Sequence, residues 1–364
     1  MKDTSGFFIG HRGCGKSSFL KRLMSTDRVK SVYDPILFSI SDVLDLTDLS
    51  YQDVIFAISS TLVEHASETS ALTMKNHKAF LEWGRTFFEE EDREEGAEVE
   101  VEGGISAIIA KFMVKLKTQY SFKTSFRVQI EPKITDLIGI LNEVTLDIEN
   151  ASGKKILLAI DDLDKASPEA ARNIFGQSLQ AMLSPSINII YTVPVSLMHE
   201  TEWQGIKDSY WYMPNIKIFD QHTRNAIEGG GFDRMKEFVE RRMMLQLIEP
   251  AALEKAILYG GGVFRQTCRI IQRAIGKADD SSLSVINEEC IDYSISEYSN
   301  GMLPQLTKED MDIMIQVYQD SRSLLAFERP KLMYNMSILM YPGSETWMDV
   351  NPILWSRVNE YINQ

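Results

Sequence analysis

Gly6-Phe-Phe-Ile-Gly-His-Arg-Gly-Cys-Gly-Lys-Ser-Ser-Phe-Leu20 decides how this chain is read. It contains the pattern G-x-x-x-x-G-K-S as Gly10, Gly15, Lys16 and Ser17. Phe7, Phe8 and Ile9 form an apolar run suited to a short buried strand. Ser18, Phe19, Leu20, Leu23 and Met24 then follow with helical spacing. A glycine-rich turn between a strand and a helix is the setting a phosphate-binding loop requires. Gly10, Gly13 and Gly15 let the backbone turn tightly and approach phosphates. The amides from Gly13 to Ser18 can converge on an anion at the helix N-terminus. Lys16 is placed to reach the β- and γ-phosphates, and the Ser17 hydroxyl to ligate Mg²⁺. Cys14 sits in the same turn, where a helix N-terminus lowers a thiol's pKa and raises its reactivity. The sequence thus predicts a nucleoside triphosphate site.

A second stretch supplies the carboxylates that such a site uses. Ile156-Leu-Leu-Ala-Ile160 is apolar on both parities, as in a central parallel strand, and it runs into Asp161-Asp-Leu-Asp164. Asp161 is expected in the Mg²⁺ shell. Asp162 is expected to orient and deprotonate the attacking water. Asp164 has two readings, joining the chemistry or capping a helix before Pro168. Thr192 ends the next apolar strand, within reach of a γ-phosphate or simply satisfying a strand end. Gly260-Gly-Gly-Val-Phe-Arg265 opens a later helix, and Arg265 there could swing onto the γ-phosphate.

The rest of the 364 residues is too much for one core, so two or three domains are expected. Strands alternate with helices up to residue 228, predicting an α/β base with a doubly wound parallel sheet. It carries an insertion over about 89–130. That insertion opens on an acidic run, Glu89 to Glu102, whose end alternates like a strand. It then reads as a helix from Ile105 to Leu116 and an alternating strand with Phe122, Thr124, Phe126 and Val128. Its acidic and basic parts are expected to pair with each other. Residues 229–299 read as a small helical lid, and 300–364 as helix, hairpin and helix in winged-helix style. The hairpin strands are expected over Lys331 to Met340 and Glu345 to Val350.

Composition sets limits on partners. Lys and Arg number 38 against 52 Asp and Glu, a formal net charge of −14. That argues against a general nucleic-acid coat while leaving room for a local basic patch. Three widely spaced cysteines, Cys14, Cys268 and Cys290, fit a reducing cytosol and neither a disulfide framework nor a zinc site. The longest apolar helical run, Ile105 to Leu116, is too short for a bilayer, so no membrane segment and a cytoplasmic location are expected. The phosphate loop arrives within ten residues of the start, so the chain is expected to be trimmed or to use an unusual pocket for the base.

The motifs resemble the AAA+/STAND division of P-loop ATPases, closest to the origin-recognition-like branch and bacterial relatives, some linked to antiphage defence. GHRGCGKSS is similar to their Walker A motif and LLAIDDLD to their Walker B. Thr192 is similar to their sensor 1, and GGGVFR to a sensor 2 opening the lid. The resemblance covers about Gly6 to Lys277. It implies ATP, Mg²⁺, a base-plus-lid architecture and nucleotide-dependent assembly. Asp162 stands where the usual catalytic residue is Glu, a pairing familiar in STAND and KAP-type ATPases. DDLDK also resembles the KAP group, without that group's membrane segments. No N-K-x-D motif is present, which favours ATP over GTP. Arg172, Lys207 and Arg224 are the candidates for an arginine-finger role. Three functions compete: an ATPase whose state controls assembly or a partner effector, an ATP-bound scaffold that hardly hydrolyses, and a DNA-handling ATPase reading duplex with the C-terminal hairpin.

Overall fold

A strand that is apolar on both parities must be covered on both sides. The computed structural model, which describes residues 4–95, 104–199, 203, 209–227, 229–343 and 345–363, places 156–160 accordingly. The strands of its main sheet are β1 (Ser5–Ile9), β2 (Tyr33–Ser39), β3 (Lys155–Asp161), β4 (Asn188–Val193) and β5 (Tyr210–Tyr212). Their spatial order is β2-β3-β4-β1-β5, so β3 lies inside the sheet. Strand β3 runs parallel to both neighbours, with Ser39 opposite Asp161 and Tyr191 opposite Ile160. Leu158, Ala159 and Ile160 are fully buried. This is the parallel-sheet α/β fold of a P-loop NTPase, as the alternation of strands and helices predicts.

Two compact units emerge from the chain's own contacts. The first holds Met1–Phe8, Ser17–Val193 and Glu200–Trp211, and so most of the sheet. Its helices include Tyr51–Glu68, Gly104–Thr118, Tyr120–Ile130 and Ile134–Ser152. The expected strand over Phe122–Val128 is a helix. Phe122, Phe126 and Ile130 recur every four residues and are buried, whereas Val128 is exposed. The alternating pattern was the shorter match to the same residues, and the four-residue period won because it faces a core. In that core Phe56, Phe112 and Phe126 pack with ring centroids 4.8–5.4 Å apart. The pairing expected between the insertion's acidic and basic parts involves acidic side chains that lie outside those described, and two of its basic residues have partners elsewhere. Lys123 meets Asp48 at 3.4 Å, and Arg127 bridges Asp48 and the buried Asp53. The strand expected near Glu98–Glu102 lies outside the described residues. The helix expected over Ala170–Leu183 is interrupted by a π-helical turn, Asn173–Gln177.

The second unit holds Ile9–Lys16, Pro194–His199 and Tyr212–Gln364. It is mainly helical, with Gly230–Glu240, Pro250–Tyr259, Phe264–Asp280, Glu288–Met302, Lys308–Gln319 and Trp355–Ile362. An antiparallel hairpin of β6 (Ile338–Tyr341) and β7 (Trp347–Val350) lies within it. The first hairpin strand is shorter than the sequence suggests. Pro330 starts a helical turn to Tyr334, and Met336 has a positive φ of 68°, which ends that turn before β6 begins. Phe219, Tyr341, Trp347 and Trp355 form the aromatic centre, with rings 5.0–5.8 Å from Phe219. Arg224 is bound into this centre. It donates to both oxygens of the fully buried Asp349 and stacks 3.6 Å from the Tyr318 ring. Burial pushes the Asp349 carboxyl up to about 6, against the pull of Arg224.

Candidate nucleotide site

The phosphate loop, residues 10–16, leaves β1 and enters the helix Lys16–Ser25. Gly13 and Gly15 have φ of +81° and +110°, a region costly for any residue with a Cβ. A Cβ on Gly13 would also lie 2.7 Å from the Arg265 side chain, so glycine is needed there twice over. Lys16 is only 4% exposed. It donates to the carbonyls of Gly10 and His11, at 2.7 and 2.8 Å. The cation is thus held at the centre of the turn by backbone oxygens.

His11 ties the loop to the hairpin of the same unit. Its Nε2 accepts from the Met340 amide at 2.9 Å, which places the ring proton on Nδ1. Burial, with help from the Lys16 charge, pushes His11 down to about 3, so the ring stays neutral. The Met340 carbonyl in turn accepts from the Tyr212 hydroxyl and the Asn215 amide, at 3.1 and 3.2 Å. Tyr341 donates to the Gly261 carbonyl at 2.9 Å, within the glycine turn that precedes Arg265. Arg265 itself is exposed, and its amide points to the Gly13 carbonyl at 3.4 Å. The residue expected from the GGGVFR stretch therefore starts its helix beside the phosphate loop. Cys14 is 2% exposed with its sulfur 3.9 Å from the Lys16 ammonium. The reactive thiol expected there is instead enclosed, because the turn wraps it against Gly10.

The acid turn belongs to the first unit, as do Ser17, half-buried, and Ser18, exposed. Asp161, Asp162 and Asp164 are all buried, and each brings one oxygen within 4.8 Å of the others. Such a set of hard oxygens suits Mg²⁺. Asp162 adopts a left-handed φ of 71° as the chain turns out of β3. Its Oδ2 accepts from the Ser39 and Ser41 hydroxyls at 2.9 and 2.8 Å, and its Oδ1 meets the Lys165 ammonium at 2.5 Å. Burial raises the Asp162 carboxyl, but the hydrogen bonds from Lys165, Ser41 and Ser39 outweigh it and hold the group below the usual carboxylate range. A carboxylate so satisfied is a weak proton acceptor. Asp164 does not cap the following helix, since the Ser167 side chain takes the Ala170 amide in that role.

Thr192 is fully buried. Its hydroxyl donates to the Ile160 carbonyl at 3.0 Å and accepts from the Leu163 amide at 3.1 Å, stapling β4 to the acid turn. Both roles of the hydroxyl are taken inside the protein, in keeping with the strand-end reading. Of the finger candidates, Arg224 is committed to Asp349, Arg172 ends the short helix Pro168–Arg172, and Lys207 lies outside the described residues. Ser39, Ser41, Lys165 and His11 were not singled out from sequence. Lys165 had a signal, standing three residues after Asp162, but nothing local connects His11 to Met340.

Sheet order, glycine turn and buried cation define the chain as a P-loop NTPase domain, a nucleotide-binding ATPase fold. A family model described as the KAP family P-loop domain matches residues 9–190, half of the chain, and the chain belongs to that family. No curated protein matches. Among solved structures, the ORC1 protein of Aeropyrum pernix in complex with DNA is 10% identical with a TM-score of 0.42, covering 100% of this chain and 89% of that one. CDC6P from Pyrobaculum aerophilum is 10% identical with a TM-score of 0.40, over 100% and 89%. Drosophila ORC bound to DNA is 8% identical with a TM-score of 0.34, over 100% and 82%. These likenesses are faint. Among the described residues no helix is long and apolar enough to cross a membrane.

Proposed function

We propose that this chain is a Mg²⁺-dependent ATPase that binds ATP readily, hydrolyses it slowly, and uses its nucleotide state to govern assembly or a partner protein. The observation that carries the reading is Lys16, a buried ammonium that donates to the Gly10 and His11 carbonyls of the glycine turn. Those contacts can be exchanged for phosphate oxygens, with anionic acceptors replacing neutral carbonyls. Gly10, Gly13, Cys14, Gly15 and Ser18 supply backbone around the phosphates, and Ser17 and Asp161 hold the metal. Mg²⁺, when bound, neutralises charge on the β- and γ-phosphates. Arg265 is assigned to the terminal phosphate. Slow turnover is inferred from Asp162, whose two oxygens are already engaged. An arginine supplied by another subunit typically raises turnover by about 10³ to 10⁵. Turnover per chain is therefore expected to rise with protein concentration or with a partner.

The test is calorimetric titration with ATP and GTP in Mg²⁺, beside turnover per chain measured against concentration with light scattering. ATP binding in preference to GTP and slow turnover that climbs on assembly are expected. No ATP binding would remove the site assignment. A fast, flat rate from a demonstrated monomer would leave an ATPase but not this switch.

A further inference from the structure

The helix Phe264–Asp280 carries Arg265, Arg269, Arg273 and Lys277, each four residues after the last. That spacing makes one ridge, winding about 40° per step and about 18 Å long. Arg265, Arg269 and Arg273 are exposed and Lys277 is half-exposed. Among the described residues none of them forms an ion pair. A further exposed cation, Arg242, lies near enough to Cys268 on this helix to act on its thiol, and its guanidinium is held 3.7 Å over the Phe238 ring.

Like charges four residues apart destabilise a helix. This ridge holds three such pairs in succession, on a chain with 14 more acids than bases from which to draw partners. The neighbouring helix Glu288–Met302 supports the cations with aromatic rings instead. Tyr298 accepts from Arg269 at 3.3 Å through its hydroxyl and lies 5.0 Å under Arg273, while Tyr293 lies 5.1 Å under Lys277. Two carboxylates of that helix, Glu288 and Asp292, are both taken by Lys255. The rings orient the charges without neutralising them.

We propose that this ridge binds the phosphate backbone of nucleic acid. A gently winding row of cations at regular spacing matches a repeating anion, and planar guanidinium groups pair with phosphate in bidentate fashion. Tyr293, 46% exposed, offers a face on which a base can stack. A lipid surface fits less well, because Ile270, Ile271, Ala274 and Ala278 of the helix are buried and Ile275 is its one large aliphatic side chain that is exposed. The net negative charge of the chain does not oppose local binding, since charges beyond about 8 Å are largely screened at physiological salt. Arg265 heads the ridge but is left out of the test, so the outcome is independent of the nucleotide reading.

The experiment measures fluorescence anisotropy of a labelled 20-base-pair duplex, and of a single strand of the same length, with the full chain across a salt series. Neutralising three phosphate contacts should matter by about 0.9 each in the slope of log affinity against log salt. The combined variant Arg269→Gln, Arg273→Gln and Lys277→Gln should therefore lower the slope by about 3 and weaken binding about 10²- to 10³-fold at 0.1 M salt. Gln keeps the helix-forming side chain, and Lys75→Gln with Lys78→Gln, exposed cations of the other unit, should leave binding unchanged. Failure of the wild-type chain to bind either probe overturns the proposal. So does equal binding by the triple variant. Poly-glutamate that binds as tightly as DNA, and is lost with the same triple variant, would reassign the ridge to an acidic protein.

Discussion

The phosphate loop and the acid turn are both strand exits crowded with polar groups, and they are held in opposite ways. The loop's charged group, Lys16, is satisfied by two backbone carbonyls of its own turn. Its support comes from far along the chain, through His11 on Met340 and Gly13 on Arg265. The acid turn is secured locally in space by side chains. Ser39, Ser41 and Lys165 occupy Asp162, and Thr192 pins the Leu163 amide. A cation on neutral carbonyls can exchange them for anionic phosphate oxygens that attract it more strongly, whereas a carboxylate ion-paired with a lysine and bonded by two hydroxyls must give up such bonds to act as a base. The contrast teaches that binding and hydrolysis are prepared to different degrees: the loop stands ready for an anion, and the acid is restrained.

The largest effect should come from undermining the loop's distant support. Arg224→Met leaves Asp349 buried without its cation, a loss of about 3–5 kcal/mol at pH 7. The folded Asp349 carboxyl, pushed up to about 6 even with Arg224 present, takes a proton more readily than an unfolded one at about 3.9. Acid therefore favours the native state of this group, and the penalty should shrink as pH falls from 7 to 5. Denaturant unfolding at both pH values reads this, and a penalty independent of pH would contradict it. Lys16→Ala removes the cation and should weaken ATP binding by about 10²-fold or more, since a charge-assisted bond is worth about 1.5–3 kcal/mol. Unchanged affinity in calorimetry would erase the distinction between a ready loop and a restrained acid.

His11→Phe tests whether the hairpin really backs the loop. It strands the Met340 amide, 1% exposed, at about 1–3 kcal/mol, and roughly tenfold weaker ATP binding is expected. His11→Gln, whose amide oxygen can accept the same bond, should restore most of it. Equal binding by all three proteins would mean that the hairpin contact is structural only. The smallest effect concerns the acid. Lys165→Met frees one oxygen of Asp162 and lets its carboxyl rise toward the ordinary range, so turnover should increase by about threefold near neutral pH. A fall in turnover would show that Lys165 helps the reaction rather than restraining it.

Helix and strand identity were legible wherever a period or an unbroken apolar run exceeded about one element. Ile156–Ile160 announced an inner strand, and the glycine loop announced its own strand and helix. Legibility failed where two periods shared residues. Phe122–Val128 alternates and also repeats every four, and only the presence of Phe56 and Phe112 on one side chose the helix. It failed again at Lys331–Met340, where the β-favouring residues 338–341 follow a proline-started turn.

What the amino-acid sequence determined by itself is the chemistry available: a glycine turn able to meet phosphates, a lysine to neutralise them, and carboxylates at the end of a buried strand. These are local patterns, since a tight turn, a helix start and a two-sided apolar strand each need only neighbouring residues. Only the tertiary structure decided the state of those groups. Cys14 is enclosed, Asp162 is already engaged, the Thr192 hydroxyl joins two strands, and His11 leans on an amide 329 positions away. The physical reason is that burial and hydrogen-bond satisfaction depend on what the folded chain brings alongside, and no spacing within a motif carries that information.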